Sequence, residues 1–238
     1  MESSMFEQNP VGNPALKTRV KQRCTRLHVL ESMENGLWLQ WILASAIGTT
    51  GGGAAIALIG SYSFAWLLRL GSFGLLVGLA QSVVLRQVIY QKPARSIVQW
   101  TLANLISWGL GAMIGGIATF SIAVFLMTTL NVDYTWAYQY GELVFWIVCI
   151  LLGAITLSNF QQQILRKSSN AIGRWTWISI AGWVLAWSAG FAVVRVIPGS
   201  NLLRGVVGGA IGGIVVGTIT GYALVRFLAG SRGEKQNA

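Results

Sequence analysis

The chain has 238 residues, of which 54% are hydrophobic and only 10% charged, with 29 glycines and 11 tryptophans. Soluble domains average about 25% charged residues, so this composition excludes an ordinary water-soluble fold. The net charge of +10 comes from 17 Lys and Arg against 7 Asp and Glu, but the cations lie between apolar runs and form no single basic domain, which speaks against nucleic acid as a partner.

In chain order, Met1 to Asn13 is polar and has no signal-peptide pattern. From Ala15 to Glu34, Val20, Cys24, Leu27 and Leu30 recur at helical spacing among Lys17, Arg19, Lys21, Arg23 and Arg26. This predicts a short amphipathic helix on an anionic membrane surface. A plain basic flank that sets topology, or a docking helix for a soluble partner, are the alternatives. Residues 1–36 therefore read as a cytoplasmic basic arm, 37–228 as a transmembrane domain and 229–238 as a cytoplasmic tail.

Six apolar runs follow: Leu37–Gly60, Gly71–Ile89, Val98–Leu126, Leu143–Leu165, Trp175–Val196 and Leu203–Leu228. About 20 apolar residues suffice for a helix to cross the hydrocarbon core. Runs this long and continuous predict helices, because backbone polar groups in lipid must be satisfied within the segment. The expected fold is all-α, a polytopic six-helix bundle of three tandem hairpins.

The arm, the loop around Arg86, Lys92 and Arg95, the loop with Arg166, Lys167 and Arg174, and the end with Arg226, Arg232 and Lys235 carry most of the cations. Only Arg69, Arg195 and Arg204 fall on the other side. The positive-inside rule then places both termini in the cytoplasm. Tyr62, Phe64 and Trp66, and the outer-loop group Tyr134, Trp136, Tyr138 and Tyr140, mark one interface; Trp38, Trp41, Tyr90, Trp100, Trp175 and Trp177 mark the other.

The runs share parts. Trp41, Trp100 and Trp175 open the odd runs, and Trp108 and Trp183 follow the latter two at a spacing of eight. Even runs end in Leu85-Arg86, Leu165-Arg166 and Val225-Arg226, with Gln81 and Gln161 five residues before the first two arginines and Gly221 at the third. Three repeats of one hairpin are expected.

The sixth run carries Gly205, Gly209, Gly213, Gly217 and Gly221 on one helical face, with Gly208 and Gly212 beside them. Such glycine-zipper rows bring helices close in membranes, either within the chain or against a second copy or another membrane protein. A glycine face lining a narrow pore is a third option. Gln81 and Asn104 must avoid lipid, so they read as interior hydrogen-bonding groups or as a polar site for a small ligand. Ser107, Thr156, Ser158, Asn159, Ser179, Ser188, Thr218 and Thr220 belong to the same set of groups able to hydrogen-bond between helices.

No Asp, Glu or Lys lies deep in a run, which disfavours an ion-coupled transporter. His28 is the only histidine, and no paired carboxylates or base-backed serine occurs, so neither an enzyme nor a metal or other cofactor is expected. At Gly78-Leu-Ala-Gln81-Ser-Val-Val-Leu85-Arg86 and the Trp-led helices, the chain resembles uncharacterised bacterial multi-spanning membrane proteins, frequent in photosynthetic bacteria. That resemblance implies a bacterial plasma membrane or an internal photosynthetic membrane, and no activity. The leading expectation is a non-catalytic scaffold or assembly factor packing through its glycine faces; the alternative is a channel or facilitator for a small neutral or amphipathic solute.

Overall fold

The computed structural model describes the backbone of residues 14–59, 65–88, 93–166 and 174–236, and the side chains of 36–59, 65–87, 95–166 and 174–228. Among them are six helices and no strand: α1 Pro14–Leu58, α2 Ala65–Val88, α3 Pro93–Thr129, α4 Tyr134–Arg166, α5 Trp175–Val196 and α6 Asn201–Gln236. Each holds a stretch long and apolar enough to cross a membrane: Gly36–Leu58, Ala65–Gln87, Arg95–Thr129, Tyr134–Arg166, Trp175–Val196 and Asn201–Leu228. The protein is an all-α bundle of three tandem hairpins.

The chain divides into two compact units, Met1–Gly36 and Leu37–Ala238. In the first, the backbone is helical from Pro14; the side chains of Lys17, Arg19, Lys21, Arg23 and Arg26 lie outside the described residues. The rest concerns the second unit. Its proximal end holds Leu37 and Leu228, and its distal end is where α1, α3 and α5 finish.

Local chemistry sets the distal turns. Asn131 adopts φ 52°, a left-handed conformation that asparagine tolerates. Asp133 Oδ2 accepts from the Thr135 N–H at 2.9 Å and so caps α4. Gly199, at φ 126°, sits where an L side chain is strained, and Ser200 Oγ accepts from the Leu203 N–H to cap α6.

Two of the spans start well before the apolar runs suggest. Helix α2 starts at Ala65, not Gly71, and α4 at Tyr134, not Leu143. The hydropathy pattern stopped at Arg69 and at the polar aromatic stretch with Glu142. The helix continues because Arg69 finds a backbone partner and because Tyr134, Trp136, Tyr138 and Tyr140 stand exposed on the first turns of α4. These aromatics are helical, not loop, residues.

The helices form a closed antiparallel ring. Successive pairs from α2 to α6 pack against each other, Gly48 and Gly52 of α1 meet Val77 and Phe73 of α2, and α6 returns to α1. Glycine makes the closure. A methyl group at Gly213 would meet the Thr49 hydroxyl, with Ala46 Cα at 2.6 Å and Ser45 O at 2.7 Å. Gly205 meets Gly53, Gly209 meets Thr49 and Thr50, Gly217 meets Ile42 and Gly221 meets Trp41. The adjacent row turns to α5, Gly208 against Gly190 and Gly212 against Ala186. Of the uses open to this glycine face, the structure shows packing within the chain; backbones at this separation gain dispersion contacts along the whole interface.

Candidate functional site

The proximal half of the ring is filled by tryptophans that hydrogen-bond to the neighbouring even helix. Trp100 Nε1 donates to Gln81 Oε1 at 3.1 Å, Trp175 Nε1 to Gln161 Oε1 at 3.3 Å and Trp41 Nε1 to Thr220 Oγ1 at 2.9 Å. Gln81 also donates to Ser45 Oγ, and Ser179 donates to Gln161. All of these side chains are buried. Position 221, where the pattern of the even runs would repeat glutamine, is glycine because the Trp41 and Trp38 rings leave room for nothing larger: their Cδ1 atoms lie 2.9 and 3.1 Å from where a Cβ would stand. Thr220 takes over as acceptor.

Gln81 thus ties α1, α2 and α3 together. Asn104 behaves differently. Its amide nitrogen donates to Trp100 O in its own helix, and among the described residues its Oδ1 has no partner. Thr101, Ser107 and Ser158 also keep unpartnered hydroxyls in the core. Beyond this layer an aromatic plug crosses the ring. Phe73 and Trp108 stand 5.3 Å apart edge to face, Trp108 and Trp183 5.1 Å, and Trp146 and Trp187 5.7 Å. The first two pairs align ring edge with ring face, a geometry that adds about 0.5–1.5 kcal/mol per pair, and the third is tilted at 40°.

Each odd helix points one column inward at a spacing of four. The columns read Trp100, Asn104, Trp108 in α3 and Trp175, Ser179, Trp183 in α5, but Trp41, Ser45, Thr49 in α1, all buried. Position 49 is the exception: a threonine stands where the other two helices carry an indole. Its hydroxyl turns back onto its own helix, donating to Ser45 O at 2.7 Å.

A cavity of about 390 Å³ opens beside this exception, within the range of small-molecule sites. Its walls are Thr49, Gly53 and Ile56 of α1, the glycines 205, 208, 209 and 212 of α6, and Trp183, Trp187 and Phe191 of α5, with Phe73 and Trp146 reaching in. It extends to the distal end at Asn201, the exposed first residue of α6. Among the described residues the indole N–H of Trp187 is buried without a partner.

Two arginines, Arg69 and Arg204, also line it. Arg69 Nε and Nη2 donate to Ile59 O at 2.9 and 2.7 Å, and Arg204 Nε to Ile197 O at 3.0 Å. In the first and third hairpins, then, an arginine of the returning helix binds a carbonyl just past the end of the outgoing one. That carbonyl lies at the negative end of the helix dipole, which favours a cation there.

No protein-family model, curated protein or solved structure matches the chain. The site therefore rests on geometry. The structure brings Gln81 into a hydrogen-bonded layer, keeps Asn104 in the core beside it, and sets the α6 glycines as one wall of the cavity. Apart from these glycines, the sequence reading missed the cavity residues. Arg69 and Arg204 counted there only as loop charges. The signal was nonetheless present, as the Trp pair at spacing eight that two odd helices keep and the first lacks.

Proposed function

We propose that the protein is a non-catalytic membrane protein that takes an amphipathic molecule into the distal cavity of its bundle. The observation that carries this reading is the cavity itself, a space left by Thr49 between aromatic and glycine walls with two arginines at one end. Large hydrophobic side chains lie on the outside of the bundle. This is the facilitator alternative in a closed form: the aromatic plug of Phe73, Trp108 and Trp183 separates the cavity from the proximal polar layer, so passage of a solute requires those rings to move. The scaffold reading loses its main support, since the α6 glycine rows face α1 and α5.

We also propose that the three hairpins are copies of one unit, supported by the matching columns and Trp–acceptor bonds. With both termini cytoplasmic, as the loop cations favour, the cavity faces the outer leaflet of a bacterial membrane.

The test is photolabelling of the purified chain in phosphatidylcholine nanodiscs with an alkyl amphiphile bearing a diazirine at mid-chain. Labelling of residues 183–194 and 205–212 that excess unlabelled amphiphile removes supports the proposal. Labelling confined to lipid-facing residues such as Leu143, Ile147 and Leu185, and not competed, would sink it.

A further inference from the structure

We infer that the molecule held in the cavity is a single-chain amphiphile with an anionic head, the head at Arg69 and Arg204 and the chain running inward along the glycine wall of α6. This narrows the amphiphile-binding reading and rests on it.

Charge is the first reason. Among the described residues the cavity wall contains two arginines and no acidic side chain. Between residues 37 and 228 the sequence has only Asp133 and Glu142 as acids, and neither lines it. The carbonyls of Ile59 and Ile197 are among the groups that orient the two guanidiniums, and a carbonyl carries no net charge. Cations at the edge of an apolar cavity favour an anion, and beyond the Nε that Arg204 gives to Ile197 O its guanidinium has further N–H groups that fit carboxylate or phosphate oxygens.

Shape is the second. From Arg204 to Gly212 the wall runs eight residues along α6, about 12 Å at helical rise. Along it Gly205, Gly208, Gly209 and Gly212 line the cavity with backbone alone, while their Cβ directions are taken up by α1 and α5. Trp183, Trp187 and Phe191 face it with apolar rings. A chain of methylenes suits such a slot, whereas a compact polar solute would leave the rings uncovered. The volume of about 390 Å³ is near the small end for ligand sites, which favours one chain over two.

Polarity is the third. The arginines and Asn201 lie toward the distal helix ends, where headgroups sit, and the aromatic floor lies within the span. The cavity's own gradient from charged to apolar matches that of the ligand. The unpartnered Trp187 N–H supplies one further donor on the wall.

The experiment uses the full chain in phosphatidylcholine nanodiscs, photolabelled with diazirine-bearing palmitate. Unlabelled palmitate, hexadecyl phosphate and hexadecanol compete. The anions should compete at concentrations at least about tenfold below the alcohol, as expected for charge-assisted hydrogen bonds. Which anion is stronger separates a fatty-acid source from a phosphate-headed lipid. Arg204→Gln should shrink the gap to about threefold or less while hexadecanol competes as before, and Arg204→Lys should keep part of it. Arg69→Gln is the second variant. Should it fail to fold, the anion-to-alcohol ratio of the wild-type chain decides alone. Equal competition by hexadecanol, or a gap untouched by both arginine variants, would overturn the anionic head and leave the amphiphile site standing. Labelling that nothing competes would overturn both.

Discussion

In the proximal half of the ring the three hairpins supply the same parts, a buried indole from each odd helix and a buried polar acceptor from each even one. Two turns further along the odd helices the parts differ, because α1 offers Thr49 where α3 and α5 offer Trp108 and Trp183, and a cavity stands beside it. Where the three hairpins agree the side chains meet; where α1 departs a cavity lies beside it. On the proposed function, the first region serves stability and the second binding. Substitutions in the two should then separate those properties.

The largest effect is expected at the seam that closes the ring. Gly213→Leu should prevent assembly of the bundle, read as loss of monodisperse protein after solubilisation, because a Cβ alone already overlaps α1 and overpacking typically costs about 1–3 kcal/mol or more. Gly109, with nothing within 4 Å of the added methyl, is the control; Gly109→Leu should leave the protein intact. Next comes Trp100→Ala, which removes a fully buried indole and should destabilise by about 3–5 kcal/mol, measured by unfolding in mixed micelles. Gln81→Leu should cost less, about 1–2 kcal/mol, by stranding the Trp100 N–H and the Ser45 hydroxyl. If these proximal changes abolished binding while sparing stability, the division between the halves would be wrong.

The smallest expected effect on stability lies in the cavity. Ile56→Trp adds apolar volume at the wall and should change unfolding by less than about 1.5 kcal/mol, yet reduce competable labelling. This variant sharpens the comparison, since it alters function without touching the proximal layer.

Much of the fold was readable in the sequence because the bilayer restricts the choices. Six long apolar runs admit only helices, and the ends of the fifth run match the structure residue for residue. The starts of α2 and α4 were not readable from hydropathy. Arg69 and Glu142 interrupt an apolar pattern without interrupting a helix, since one reaches the Ile59 carbonyl and the other is exposed on α4. Gln81 was legible as an interior group on energetic grounds, and the structure supplies the partners that spacing could not name.

The α6 glycines announced a close approach but not to what, because a small-residue face fits an adjacent helix and a second chain equally well. The cavity was the least legible feature. It arises from a residue that is small where its counterparts are large, and from two arginines whose value depends on which hairpins stand side by side. Neither fact is local to one segment.

The central claim is that Thr49 keeps the cavity open for a ligand. The most direct measurement is competable photolabelling of Thr49→Trp, which restores the column that α3 and α5 carry. A folded variant whose competable labelling of residues 183–194 and 205–212 is lost is the predicted result. A folded Thr49→Trp protein labelled and competed like the wild type would contradict the account.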